Sequence, residues 1–97
     1  MNQTIVTAIR EKRLLSFMYD GYPRTVEPHC YGESRAGNEL LRCYQVAGGS
    51  SSGNVPDWKL MTVDKISGLA LTQKTFLGPR PEYNRDDKAM HTIYVQL

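Results

Sequence analysis

The hydrophobic rhythm of the chain changes near residue 15, and that change separates a helix from a series of strands. Over Thr4–Arg13 the apolar residues Ile5, Ala8 and Ile9 fall at helical spacing, with Leu15 extending the stripe. Asn2 or Thr4 can cap the start, and Arg10, Glu11, Lys12 and Arg13 give a charged exit. So short a helix is marginal in water and must pack on something. From Leu15 the period is two: Leu15, Phe17 and Tyr19 alternate with Ser16, Met18 and Asp20. Asp20-Gly21 signals a tight hairpin, since both residues tolerate positive φ. Thr25–Tyr31 reads as a second strand, in which Pro28, lacking an N–H, implies an edge or a bulge. Gly32–Asn38 reads as a loop, Glu39–Ala47 as a third strand, and Gly48–Asn54 as a flexible loop projecting into solvent. Asp57–Val63 is the fourth strand and Lys65–Leu71 the fifth.

These elements predict a mainly β fold, a short N-terminal helix followed by a small five-stranded barrel. So small a barrel must bend sharply, and Pro28, Gly32 and Gly68 are the residues placed to bend it. The tail differs. Gly78-Pro79-Arg80-Pro81 excludes helix and central strand, so Gly78–Tyr83 is expected to be extended. His91–Leu97 returns to alternation, and is expected to pair with a sheet edge in its own molecule or across a dimer. The organisation is thus residues 1–75 as the barrel with its helix, and 76–97 as an extended arm and edge strand of the same domain.

Composition narrows the function classes. With 97 residues, 40% hydrophobic and 23% charged, the chain is an ordinary single globular domain and not a disordered one. Its 12 basic and 10 acidic residues leave a net charge of +2, so any nucleic-acid surface must come from local clustering. Cys30 and Cys43 match no zinc spacing and lie in strand-like runs, which suits two buried free thiols. Met1–Arg13 is polar and amphipathic, unlike a leader, and no run is long enough to span a bilayer, so a cytoplasmic setting without membrane contact is expected. No nucleophile–base pair, phosphate loop or metal cluster is present, so neither catalysis nor a cofactor is expected. His29 reads as a hydrogen-bonded structural residue and Glu27 as the orienter of a basic group. Trp58 reads as core or interface cover, or else a stacking platform, and Asp86-Asp87 as a solvated face.

From Ala8 to Leu71 the chain resembles a WYL domain. The resemblance is carried by Ala8-Ile9, Lys12-Arg13, Leu15-x-Phe17-x-Tyr19, Arg24-Thr25-Val26-Glu27-Pro28 and Met61-Thr62-Val63-Asp64-Lys65-Ile66, in that order. The literal Trp-Tyr-Leu is replaced by the neighbourhood Arg42-Cys43-Tyr44-Gln45, and Thr62 and Lys65 stand where the family often has arginine. The resemblance implies an Sm-like barrel, a free-standing module, and a ligand-sensing role in bacterial regulation or phage defence. It also implies that Arg24 lies in the ligand groove and that Lys59 and Lys65 occupy basic positions of that groove. On this chain's own pattern, Arg42 and Tyr44 lie two apart and share a strand face, where a cation beside an aromatic suits a base and its phosphate. Arg24 and Arg42 are expected to share one anion, with Tyr44 flanking. Each has a plainer reading: a solvated turn arginine, a cation–π pair on an exposed sheet, surface lysines. The leading expectation is a binding module for a nucleotide or single-stranded nucleic acid through Arg24, Arg42, Tyr44, Lys59 and Lys65. The alternative is an adaptor acting through strand addition or a homodimer of C-terminal strands, with no small ligand.

Overall fold

The computed structural model describes residues 1–97. Helix α1 (Gln3–Glu11) begins where Asn2 accepts the Ile5 N–H on its side chain at 3.2 Å. It stops two residues before the predicted Arg13, because Lys12 turns into the left-handed region at φ 52 and closes its N–H on the last turn. One face buries Ile5, Val6, Ala8 and Ile9. Full burial of Ile5 and Ile9 contributes roughly 1.5–3 kcal/mol apiece, and this packing rather than intrinsic propensity holds so short a helix.

Six antiparallel strands follow, the five expected of the sheet and the expected C-terminal edge strand: β1 (Arg13–Tyr19), β2 (Tyr22–Glu33), β3 (Glu39–Gly48), β4 (Asp57–Thr62), β5 (Ser67–Thr75) and β6 (Thr92–Gln96). The β1–β2 turn is the predicted two-residue hairpin, with positive φ at Asp20 and Gly21 and Tyr19 opposite Tyr22. The order across the sheet is β4-β3-β2-β1-β5. Strands β4 and β5 therefore sit at opposite ends of the order, yet only a single 3-10 turn (Val63–Lys65) joins them, so the sheet must curl. The Tyr19 hydroxyl, on β1, accepts the Thr62 N–H at the end of β4 across that curl at 3.0 Å. No backbone ladder joins β4 to β5, so the sheet is open where a closed barrel was expected. The same 3-10 turn shifts the start of the fifth strand from the predicted Lys65 to Ser67.

The three predicted bending residues lie at irregularities of the ladders. His29 is the extra residue of a β2 bulge between Pro28 and Cys30, Gly68 lies in a β5 bulge with φ +62, and the β2–β6 register slips at Gly32. Gly32 is strand rather than loop. Any Cβ there would collide with the Thr92 carbonyl oxygen, so glycine is what lets β6 approach. Strand β2 carries β1 beside Tyr22–Val26 and β6 beside Cys30–Glu33 on the side away from β3. The C-terminal strand thus pairs within its own molecule.

The core lies inside the curl, from α1 together with Leu15, Phe17, Val26, Tyr31, Leu41, Cys43 and Met61. The opposite face of β2, β3 and β4 is covered by the arm, and residues Val26–Gly32 are consequently buried without interruption. Within the arm Pro81–Glu82 makes a turn, with the Tyr83 N–H on the Arg80 carbonyl at 3.2 Å, so Gly78–Tyr83 is not extended throughout. Both cysteines are buried free thiols, as expected, and burial raises Cys30 to about 11 and Cys43 to about 12. No helix is long and apolar enough to cross a membrane.

Candidate functional site

The outer face of β2–β4 presents Glu27 opposite Tyr44, Tyr44 opposite Trp58, and Arg42 opposite Leu60. The bulge turns His29 outward as well, so a carboxylate, an imidazole and two aromatics meet under the arm. Arg80 crosses this patch. Its guanidinium grips both Glu27 carboxylate oxygens at 2.7 and 2.9 Å and lies 4.8 Å from the centre of the Tyr44 ring. The expectation that Glu27 orients a basic group holds, and the group is Arg80. The Arg80 backbone N–H donates to His29 Nε2 at 3.1 Å. His29 Nδ1 lies 2.8 Å from the Glu27 carbonyl, which can only accept, so Nδ1 carries the proton. His29 is fully buried, and that burial holds its pKa below the ordinary 6.5 despite the nearby carbonyl and carboxylate of Glu27.

Further along, Asp87 accepts from Arg42 Nε at 2.6 Å and from the Ala89 N–H at 2.9 Å. Its side chain is only 12% exposed, which corrects the solvated-face reading for Asp87, while Asp86 is exposed as that reading had it. Asp86 instead clasps Gln96 of β6, and Arg85 Nε donates to the Leu97 carbonyl at 2.8 Å. Between sheet and arm these contacts leave a cleft of about 640 Å³, walled by Arg42, Trp58, Tyr83, Arg85, Asp87 and Lys88 among others. Trp58 and Tyr83 stack in it, 6.1 Å between centroids and 19° between planes. Trp58 is thus cover for the sheet and wall of a cleft together, edge-on to His29 at 4.7 Å.

The predicted residues divide among four places. Arg42 and Tyr44 share the outer face, as their spacing required, while Leu41, Cys43 and Gln45 face the core. Arg24 is only 4% exposed and sits inside the curl, donating to Gln45 Oε1 at 3.1 Å and to the Tyr19 carbonyl at 3.0 Å. The Tyr19 and Tyr22 rings flank it, and its Nε has no partner. In the ladder Arg24 lies opposite Gly48, six positions along β3 from Arg42, which is roughly 20 Å. The two guanidiniums are on opposite faces and do not share an anion, contrary to expectation. Lys59 points to the β3–β4 loop, where Nζ reaches Ser52 Oγ at 3.1 Å. The loop hydroxyls also accept loop N–H groups, so the segment is internally bonded, and Ser51–Asn54 are exposed, as its projection into solvent required. Lys65 is exposed on the 3-10 turn between β4 and β5, on neither face of the sheet.

Arg80, Tyr83, Arg85, Asp87 and Lys88 were not among the sequence-derived candidates. The one available signal was an arginine between two prolines, Pro79 and Pro81, in a stretch too rigid to be a mere tether. A scan against protein-family models and searches of curated proteins and of solved structures found no match. The WYL resemblance therefore rests on the residues quoted for it.

Proposed function

We propose that this chain is a binding module of WYL type. In this reading it takes a nucleotide or a short single-stranded nucleic acid in the cleft between β4 and the arm, and its curled, open sheet is a variant of the Sm-like barrel, bridged from β1 to the end of β4 by the Tyr19 hydroxyl rather than closed by a ladder. The observation that carries it is the parallel Trp58–Tyr83 pair, set in a 640 Å³ cleft with Arg42, Arg85 and Lys88 around it. An aromatic face takes any base by stacking, and cations at its rim take the phosphate. Arg42 is already paired with Asp87, so Arg85 and Lys88 are the phosphate groups and Arg42 sets the wall. Arg24, buried without a carboxylate partner, contributes positive potential from the far side of the sheet.

Trp58 is the only tryptophan, so its fluorescence reports the cleft directly. Adenosine monophosphate and a labelled single-stranded hexanucleotide are expected to quench it, and Tyr83→Ala to weaken binding about tenfold, a typical stacking loss. No binding by wild type even at low salt would overturn the reading. It would favour the adaptor alternative, which has its own support in the antiparallel β6–β2 ladder, a pairing a second copy could exchange.

A further inference from the structure

The cleft exists only while the arm lies on the sheet, and an imidazole anchors the arm at its centre. We propose that His29 is a proton-operated latch: neutral, it holds Phe76–Met90 on the sheet and keeps the cleft assembled; protonated, it lets the arm go and takes the cleft apart. The consequence for binding rests on the reading of that cleft as the ligand site; the release itself does not.

Both ring nitrogens are committed. Nδ1 must carry a proton for the Glu27 carbonyl, and Nε2 must offer a lone pair to the Arg80 N–H. A second proton has only Nε2 to go to, where it would face another donor. The arm's central backbone bond would be lost and replaced by a repulsive contact. No water reaches the ring to solvate the charge, since His29 is 0% exposed. Trp58 packs against it at 4.7 Å, Tyr83 at 5.0 Å and Phe76 at 5.7 Å between centroids, and two of those three rings belong to the arm.

The groups facing His29 do not rescue the cation. From β2 comes the Glu27 carboxylate, with both oxygens already held by Arg80. From the arm come the Arg80 guanidinium, of like sign, and the neutral Tyr83 phenol, which donates to the His29 carbonyl at 3.2 Å. The β3 contribution is Tyr44, lying beneath Arg80. From β4 comes uncharged Trp58, and Cys30 beside His29 stays a thiol, raised by burial to about 11. The Phe76 face gives a protonated ring some attraction. That does not replace the lost bond and the lost hydration together.

The sign follows. A histidine whose pKa is depressed when the arm is docked leaves docking at full strength above its ordinary 6.5. Docking weakens as pH falls from there towards the docked value, by up to about tenfold per pH unit, because the undocked state binds the proton first.

The test is a pH titration of the full chain from 8 to about 4.5 by NMR, following the His29 ring nitrogens and the exchange protection of the Arg80 and Met90 amides. Below 6.5 the Nε2 signal is expected to move to its protonated position as both amides lose protection. His29→Gln, whose side-chain oxygen accepts at the Nε2 position and does not titrate, is expected to keep the arm docked throughout, while His91→Gln leaves the transition in place. Protection of the Arg80 amide down to pH 4.5 in wild type, or a transition that survives in His29→Gln, would overturn the latch. If that variant does not fold, the coincidence of ring and amide transitions in wild type decides, and protonation without arm release overturns it. Adenosine monophosphate titrated at pH 7.5 and 5 separates the two readings. No binding at either pH with release intact removes the ligand reading and leaves the latch. Equal binding at both pH values with the arm docked does the reverse.

Discussion

Two ion pairs are among the contacts that hold the arm, Arg80–Glu27, whose arginine is 43% exposed, and the better-shielded Arg42–Asp87. Arg42 and Asp87 are 28% and 12% exposed, so their pair works in a partly desolvated setting. Burial opposes ionisation of Asp87, but the hydrogen bonds from Arg42 and the Ala89 N–H and the Arg42 charge outweigh it. The carboxyl consequently lies below its ordinary 3.8. A depressed carboxylate contributes stability that is present above its unfolded pKa and lost as pH falls through its folded one. Asp87→Asn should therefore cost about 1–2 kcal/mol at pH 7, and the difference from wild type should shrink below pH 3.8, as urea denaturation at both pH values would measure. Parity alone placed Arg42 and Tyr44 on one face. It could not name what covers that face, because Asp87 comes 45 positions later from a stretch with no periodicity. Arg24 was legible as an arginine opening a strand but not as an interior one. Its register with Phe17 turns it inward, and single-strand parity does not say which face of a curled sheet is the core.

At the scale of elements, the strands that alternate cleanly were legible, and the Asp20-Gly21 hairpin and the terminal strand came out as read. Several boundaries moved, β2 starting at Tyr22 rather than Thr25 and β5 running on to Thr75 rather than Leu71, and two moved where the backbone does something a pattern cannot carry. Gly32 looks like the start of a loop but continues β2, because it sits where β6 comes too close for any side chain. The β4–β5 corner falls at Asp64-Lys65, where the fourth strand was expected to hand over to the fifth, but its coiling into a 3-10 turn leaves no mark on the hydrophobic pattern. In Gly32→Ala the new methyl meets backbone, which cannot swing away as a side chain would, so β6 must move. A loss of about 1–3 kcal/mol is expected, together with faster hydrogen exchange at Tyr31 and Val95, which face each other in the β2–β6 ladder. Unchanged exchange there would mean that β6 tolerates the shift.

For the whole molecule, charge constrains the partner more than fold does. The net charge is +2, and the cleft itself is balanced, with Arg42, Arg85 and Lys88 against Glu82, Asp86 and Asp87. A protein that tracks a long nucleic-acid backbone needs a broad positive surface, and its affinity then collapses with salt, because every phosphate it neutralises releases counterions. Here only Arg85 and Lys88 are cleft cations without a carboxylate partner, since Arg42 is held by Asp87. At about 0.7 per phosphate on a single strand, two such contacts predict a log–log salt slope near −1 to −2 for a hexanucleotide. Fluorescence anisotropy at 50 to 300 mM salt would measure it, with Arg85→Ala expected to flatten the slope by about one contact. A slope beyond about −4 would mean that phosphates are met over a wide surface instead. A shallow slope combined with stacking loss in Tyr83→Ala would mean that most of the affinity is aromatic, as expected for a small cleft that reads one or two bases at the end of a chain or a free nucleotide.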